Sequence, residues 1–259
     1  LFARVYYSVV VFLFGLAVGS FDNVVIYRIP EGLSPLKPRS FCPGCGHPIA
    51  WYDNIPVLSF ILLRAKCRHC GAPISPRYPL VELASGMLFL AVFASHSFRW
   101  TDELPAHLFL VTVTLIVSVI DLRHQIIPNR VIYPSLLLAL LSAVVVSLVR
   151  GDLSYFIDKA LGFAAGGIPL GLLAVALPRG MGMGDAKLAA FTGLVLGWRG
   201  QLVAFFLAFL AGSIAGVAVM ASGRGDRKTR IPFGPFLSLG ALASLFWWTS
   251  IWSWYVGLF

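Results

Sequence analysis

Two aspartates stand where a chain rich in apolar residues should resist them. Asp121 closes one apolar run and opens the segment DLRHQIIPNR, and Asp185 follows four closely spaced residues of glycine and methionine in MGMGDAKLAA at 181–190. An ionisable side chain at the centre of a bilayer costs about 2.5–3.5 kcal/mol on insertion scales, so each such group is a functional candidate. Two carboxylates brought together cannot both ionise and therefore share one proton. That pair suits peptide hydrolysis: the ionised member takes a proton from water while the protonated member hydrogen-bonds the scissile carbonyl. Neither an acyl-enzyme nor a catalytic metal is needed. Two other acids lie against apolar runs. Asp22, six residues before Arg28, and Glu82, five after Arg77, read as helix-end anchors or as ion-pair partners of those arginines. A serine–histidine system has little support, because His47, His69, His96, His107 and His124 fall in loops, knuckles or span ends and no serine sits in a G-x-S-x-G elbow.

A second set of residues speaks of structure rather than catalysis. All four cysteines lie in two copies of C-x-x-C-G-x-P-I, CPGCGHPI at Cys42–Ile49 and CRHCGAPI at Cys67–Ile74. Two such knuckles supply four thiolates, the donor set of tetrahedral structural zinc, with Cys42, Cys45, Cys67 and Cys70 as ligands. His47 and His69 are the alternate ligands, and two disulfides are the competing reading. A closed four-sulfur site holds a fold together and leaves no position open for chemistry.

The elements that must carry these residues are transmembrane. The chain is 58% hydrophobic and 12% charged with a mean hydropathy of +0.85, far from the one-quarter charged composition of soluble domains. Apolar runs of spanning length fall at about Val9–Tyr27, Pro79–Ser97, Ala106–Ile120, Val131–Val149, Ala160–Leu177, Leu202–Ala221 and Phe236–Gly257. An eighth, Ala186–Gly197, would rise only about 18 Å as a helix. The loop charges decide whether it crosses. With eight crossings and the N-terminus outside, fifteen of the twenty Lys and Arg residues fall on the inner side, leaving Arg4, Arg99, Arg150, Lys159 and Arg199 outside. Without that crossing, Arg224, Arg227, Lys228 and Arg230 would move outside, against the positive-inside rule. Six tryptophans, Trp100, Trp198, Trp247, Trp248, Trp252 and Trp254, then lie at outer ends, as interfacial aromatics do. The first run is long enough to remain as an anchor and carries no signal-cleavage pattern. A short sixth helix would draw Asp185 below the headgroup level beside a glycine loop too pliant for regular helix.

The expected architecture is thus an all-α polytopic membrane protein of about eight transmembrane helices with a small cytoplasmic zinc-knuckle insert. Its parts are a first helix over 1–27, a four-cysteine zinc-binding insert over 28–78 and a membrane-embedded catalytic domain over 79–259. The net charge of +9 does not imply nucleic acid, because the basic residues sit in short loops between spans rather than on one solvated face.

Five stretches together resemble the type IV prepilin peptidases: GSFDNVVIYRIP at Gly19–Pro30, WYDNIPVLSFILLRAKC within the cysteine insert, SPRYPLVE at Ser75–Glu82, DLRHQIIPN at Asp121–Asn129 and GMGDAKL at Gly182–Leu188. The resemblance implies a G-x-G-D aspartyl peptidase of the bacterial inner membrane. It implies removal of the short basic leader of type IV prepilins or type II secretion pseudopilins, after a glycine, at the cytoplasmic membrane face. N-methylation of the new terminus with S-adenosylmethionine follows in many members. Asp121 and Asp185 carry over as the catalytic pair, with Gly182, Gly184 and Lys187 from the same motif, and the four cysteines as the zinc site. Position 22, usually apolar in the family, is aspartate here. The partners implied are pilin precursors and membrane lipid. The runner-up reading is a proton- or ion-coupled transporter using buried aspartates, and a third is a scaffold within a pilus or secretion machine.

Overall fold

The computed structural model describes residues 2–177, 181–222 and 231–258. It is almost wholly helical: α1 Phe2–Arg28, α2 Leu58–Leu62, α3 Arg77–Ser95, α4 Leu104–His124, α5 Asn129–Arg150, α6 Leu153–Ala176, α7 Met183–Ala221 and α8 Gly234–Val256. All but α2 are long and apolar enough to span a membrane, which makes seven among the described residues. The chain divides into two compact units, 1–104 and 105–259, so α3 groups with α1 and the insert.

In the first unit α1 and α3 run antiparallel along a seam of small residues. A Cβ at Gly15 would lie 2.8 Å from the Cα of Gly86, and one at Gly19 would lie 2.7 Å from the Cα of Glu82. The Gly15-x-x-x-Gly19 spacing is the close-approach pattern of membrane helices, where packing replaces the hydrophobic effect. Asn23 ties the end of this seam by donating to the Tyr78 carbonyl at 3.0 Å.

The second unit shows how seven span-capable helices hold eight apolar runs. Helix α7 is interrupted at Gly197, whose φ of 79° and ψ of 171° lie outside the helical region and in a conformation open to glycine. Thr192 Oγ1 donates to Gln201 Oε1 at 2.9 Å. Residues nine apart in a straight helix would be about 13 Å apart along the axis, so the chain folds back at Gly197 into two antiparallel arms, 183–196 and 198–221. The expected short helix is the first arm. It extends the sequence reading by starting at Met183 and needs no loop before the second arm.

Both arms are held by close helix–helix contacts. The first packs antiparallel on α6: a Cβ at Gly162 would overlap the Gly193 carbonyl, and one at Gly166 would overlap that of Ala189. Lys159 of α6, itself buried, donates to the Val195 carbonyl at 2.9 Å and so caps the open C-terminal end of the arm. The second arm packs antiparallel on α8, where a Cβ at Gly240 would overlap the Ala204 carbonyl and Ser244 Oγ donates to the Gly200 carbonyl at 2.7 Å. The cluster Arg224, Arg227, Lys228 and Arg230 used to orient these crossings, together with Arg179 and Gly180, lies outside the described residues.

Candidate active site

Helix α4 buries Val113, Ile116, Val117 and Ile120, and Asp121 continues that stripe one helical step after Val117. The α4 helix runs on to His124, so Asp121 is inside its last turn rather than at its end, and it is only 5% exposed. Its Oδ2 accepts a hydrogen bond from the Gly234 N–H at 3.0 Å. That N–H belongs to the first turn of α8, where main-chain donors have no partner within the helix and favour a negative group. A Cβ at Gly234 would lie 2.7 Å from the same oxygen, so a side chain here would push the carboxylate from its place. Sequence reasoning passed over Gly234. The signal was the Gly234-Pro235 pair at the head of the last apolar run, a helix-start pattern.

Asp185 lies half-buried in the first turn of α7, with Gly182 as N-cap. Its N–H donates to the Gly182 carbonyl at 3.1 Å, and its Oδ2 accepts from the Gly182 N–H at 3.3 Å. The expectation of a glycine loop too pliant for helix is corrected here: Met183 and Gly184 are the opening residues of α7, stabilised by that reciprocal cap. Gly184 meets the segment after Asp121, since a Cβ there would lie 2.8 Å from the Cβ of Ile127. Lys187 reinforces the same junction, donating to Asn129 Oδ1 at 2.8 Å with its ammonium 4.8 Å from the Tyr133 ring centroid. The two motifs DLRHQIIPN and GMGDAKL are therefore joined side by side.

The other two acids behave differently from their sequence reading. Asp22 is fully buried, and neither of its carboxylate oxygens has a hydrogen-bond partner among the described residues. Arg28 does not pair with it. Its guanidinium instead donates to the carbonyls of Ser34, Pro38 and Arg39 at 3.2, 2.8 and 3.1 Å, fastening the start of the insert. Glu82 accepts from the Val57 N–H at 2.7 Å, tying α3 to the insert rather than to Arg77.

The insert repeats itself in structure as in sequence. In the first knuckle Gly46 N–H donates to the Cys42 carbonyl at 2.8 Å and Cys42 N–H to that of His47 at 2.9 Å. In the second, Gly71 donates to Cys67 at 3.0 Å and Cys67 to Ala72 at 2.8 Å. Gly46 and Gly71 both adopt the left-handed backbone, with φ of 70° and 69°. The four Sγ atoms lie within 4.8 Å of one another, those of Cys42 and Cys70 at 3.8 Å. Metal–sulfur bonds of about 2.3 Å in a tetrahedron require sulfurs about 3.8 Å apart, so the set fits structural zinc. None of the four is bonded to another as a disulfide in this structure, and their mutual closeness favours the metal reading. His47 and His69 are not in the donor set; their rings stack on each other with centroids 3.5 Å apart. Arg68 and Asp53 join the second knuckle to the 3-10 turn Trp51–Asn54 through two bonds of 2.8 and 2.6 Å, and the guanidinium holds the Asp53 carboxyl below the usual range.

These features define a polytopic helical membrane protein with a four-cysteine insert and two carboxylates converging at one end of a helix bundle. Residues 13–96 match the bacterial peptidase A24 N-terminal domain, and residues 108–217 match the type IV leader peptidase family. A relative from Aeromonas hydrophila, a prepilin leader peptidase/N-methyltransferase, is 36% identical over 96% of this chain and 94% of its own length. One of the same name from Bacillus subtilis is 35% identical over 95% and 97%. A third, from Myxococcus xanthus, is 40% identical over 86% of this chain and 66% of its own. No solved structure matches the chain. The chain belongs to the type IV leader peptidase family. Nothing in that membership favours the ion-coupled transporter.

Proposed function

We propose that the chain is a membrane aspartyl endopeptidase that removes the leader of type IV prepilins or type II secretion pseudopilins, with Asp121 and Asp185 as its catalytic pair. The observation that supports this most is the joining of the two aspartate motifs through Ile127–Gly184 and Asn129–Lys187. One carboxylate accepts a proton from water as its oxygen adds to the scissile carbonyl, and the protonated partner donates to the oxyanion that forms. Collapse of the tetrahedral adduct breaks the C–N bond, and the leaving amine takes up the proton first removed from water. Gly182 and Gly184 let the start of α7 approach this centre closely, and Lys187 fixes it against α5. Incubating purified protein with a pilin precursor should yield leader loss on a gel, with the new N-terminus directly after a glycine.

The four-cysteine set holds zinc in this reading, as a clasp for the insert. Purified protein should then carry about one zinc per chain. Cys42→Ser with Cys45→Ser should lose the metal and lower the unfolding temperature. Protein without zinc, whose thiols react only after reduction, would refute the assignment. The methyltransferase half of the relatives' names brings in S-adenosylmethionine, which supplies a methyl group for the new terminal amine.

The chain lies in the bacterial inner membrane, with the insert and the aspartates at the cytoplasmic face. The support is the distribution of basic loop residues and the fold-back at Gly197, which adds the eighth crossing. Single cysteines at Ser34 and Ser222, added to a protein whose knuckle cysteines are masked by metal, should label from the same side with a membrane-impermeant reagent, because an even number of crossings separates them if the short arm spans. Labelling of the two from opposite sides would overturn the eighth crossing.

A further inference from the structure

Helix α2 is built inside out. Its one polar residue, Ser59, is buried, with Oγ donating to the Tyr52 carbonyl at 3.0 Å and accepting from the Ile55 N–H at 2.9 Å. Leu58, Ile61 and Leu62 share one face by their i, i+3, i+4 spacing and are 48%, 63% and 70% exposed. Trp51, in the adjoining 3-10 turn, is 74% exposed. A soluble insert would turn these side chains inward, since a contiguous exposed apolar face marks a contact surface.

The attachment of α2 points to the occupant. Val57, its N-cap, donates to Glu82 Oε2 at 2.7 Å. Glu82 lies five residues into α3, and side chains on a helix lean toward its N-terminus, so α2 begins alongside the first two turns of a membrane-spanning helix. At the same level of α3, Leu80 is 63% exposed and Leu83 39%, as on a lipid-facing surface. Arg64 and Lys66, both exposed, follow α2 directly, placing positive charge at the edge of its apolar face. A tryptophan, a short aliphatic face and flanking basic residues are the composition of a segment seated at the boundary between headgroups and acyl chains.

We infer that α2 is a membrane foot: Leu58, Ile61 and Leu62 enter the acyl boundary of an anionic leaflet, Trp51 sits at headgroup level, and Arg64 and Lys66 meet lipid phosphates. The foot adds a lipid attachment to the insert's covalent ends at α1 and α3, to its Val57–Glu82 bond and to the Arg28 bonds at its start. It also accounts for a helix this short, which in water would not hold itself together. Its outer face is held by lipid, and its inner face by Ser59 and Glu82.

Photo-crosslinking on the full chain tests this. Benzoylphenylalanine would be placed singly at Ile61, Leu62 and, as a control on the exposed side of the insert, Lys37, in nanodiscs of phosphatidylethanolamine and phosphatidylglycerol. After irradiation, mass spectrometry should find phospholipid adducts at 61 and 62 at least about fivefold above those at 37, as interfacial burial requires. Adducts at 61 and 62 to a second copy, or to an added pilin precursor in place of lipid, would overturn the inference. So would lipid labelling equal to that at position 37.

Discussion

Asp121→Asn and Asp185→Asn are each expected to lower leader cleavage by at least about a thousandfold, and the double variant to be little worse than either single one. Asparagine keeps the shape and much of the hydrogen bonding of aspartate but cannot exchange the proton that the pair must share within a turnover. Removing one member disables the other, so the losses do not add. In the Asp121→Asn variant the Gly234 N–H can still donate to the amide oxygen of the new side chain, which keeps the end of α4 in place. Asp22→Asn and Glu82→Gln should cost far less, because Asp22 lies outside the paired motifs and Glu82 engages the main chain of the insert. Rate loss at Glu82→Gln as large as at Asp121→Asn would place the chemistry elsewhere.

The second large effect is on folding. Gly166 approaches α7 so closely that any side chain would overlap the Ala189 carbonyl, whereas Gly171, on the same helix, has nothing within 4 Å of where its Cβ would be. Gly166→Leu should therefore separate α6 from the first arm of α7, and backbone contacts of this kind have no flexible side chain to yield. Overpacking of ordinary cores costs about 1–3 kcal/mol, and this site offers less relief than most. The yield of monodisperse protein should fall at least about tenfold and cleavage should vanish with it, while Gly171→Leu should match the parent in both. Size-exclusion profiles of the two variants in one detergent give the comparison. Equal behaviour would show that the Gly162–Gly166 seam does not hold the arm.

Much of this arrangement is legible in the sequence because it is local. The two knuckles repeat one eight-residue pattern, and their structures repeat the same hydrogen bonds. The span-capable helices follow from the apolar runs, and the short arm of α7 from the run Ala186–Gly197. The contacts that shape the centre are not local. Gly234 meets Asp121 from 113 positions away, and nothing near either residue announces the other. The fold-back at Gly197 replaces a loop with a single residue, so a search for loops places it too late. Arg28 misleads for a different reason: proximity in sequence suggests Asp22, but a guanidinium at the end of α1 reaches the unpaired carbonyls of the insert instead. The inverted face of α2 is legible only once Ser59 is seen to be buried, since a five-residue helix has too few turns to show a period.

The most direct test of the central claim is leader removal by Asp185→Asn protein that is monodisperse and retains its metal, compared with the parent chain on the same pilin precursor in the same lipid. The account predicts no product beyond background over a time in which the parent converts all the substrate. Cleavage by that variant at a rate near the parent's would contradict it.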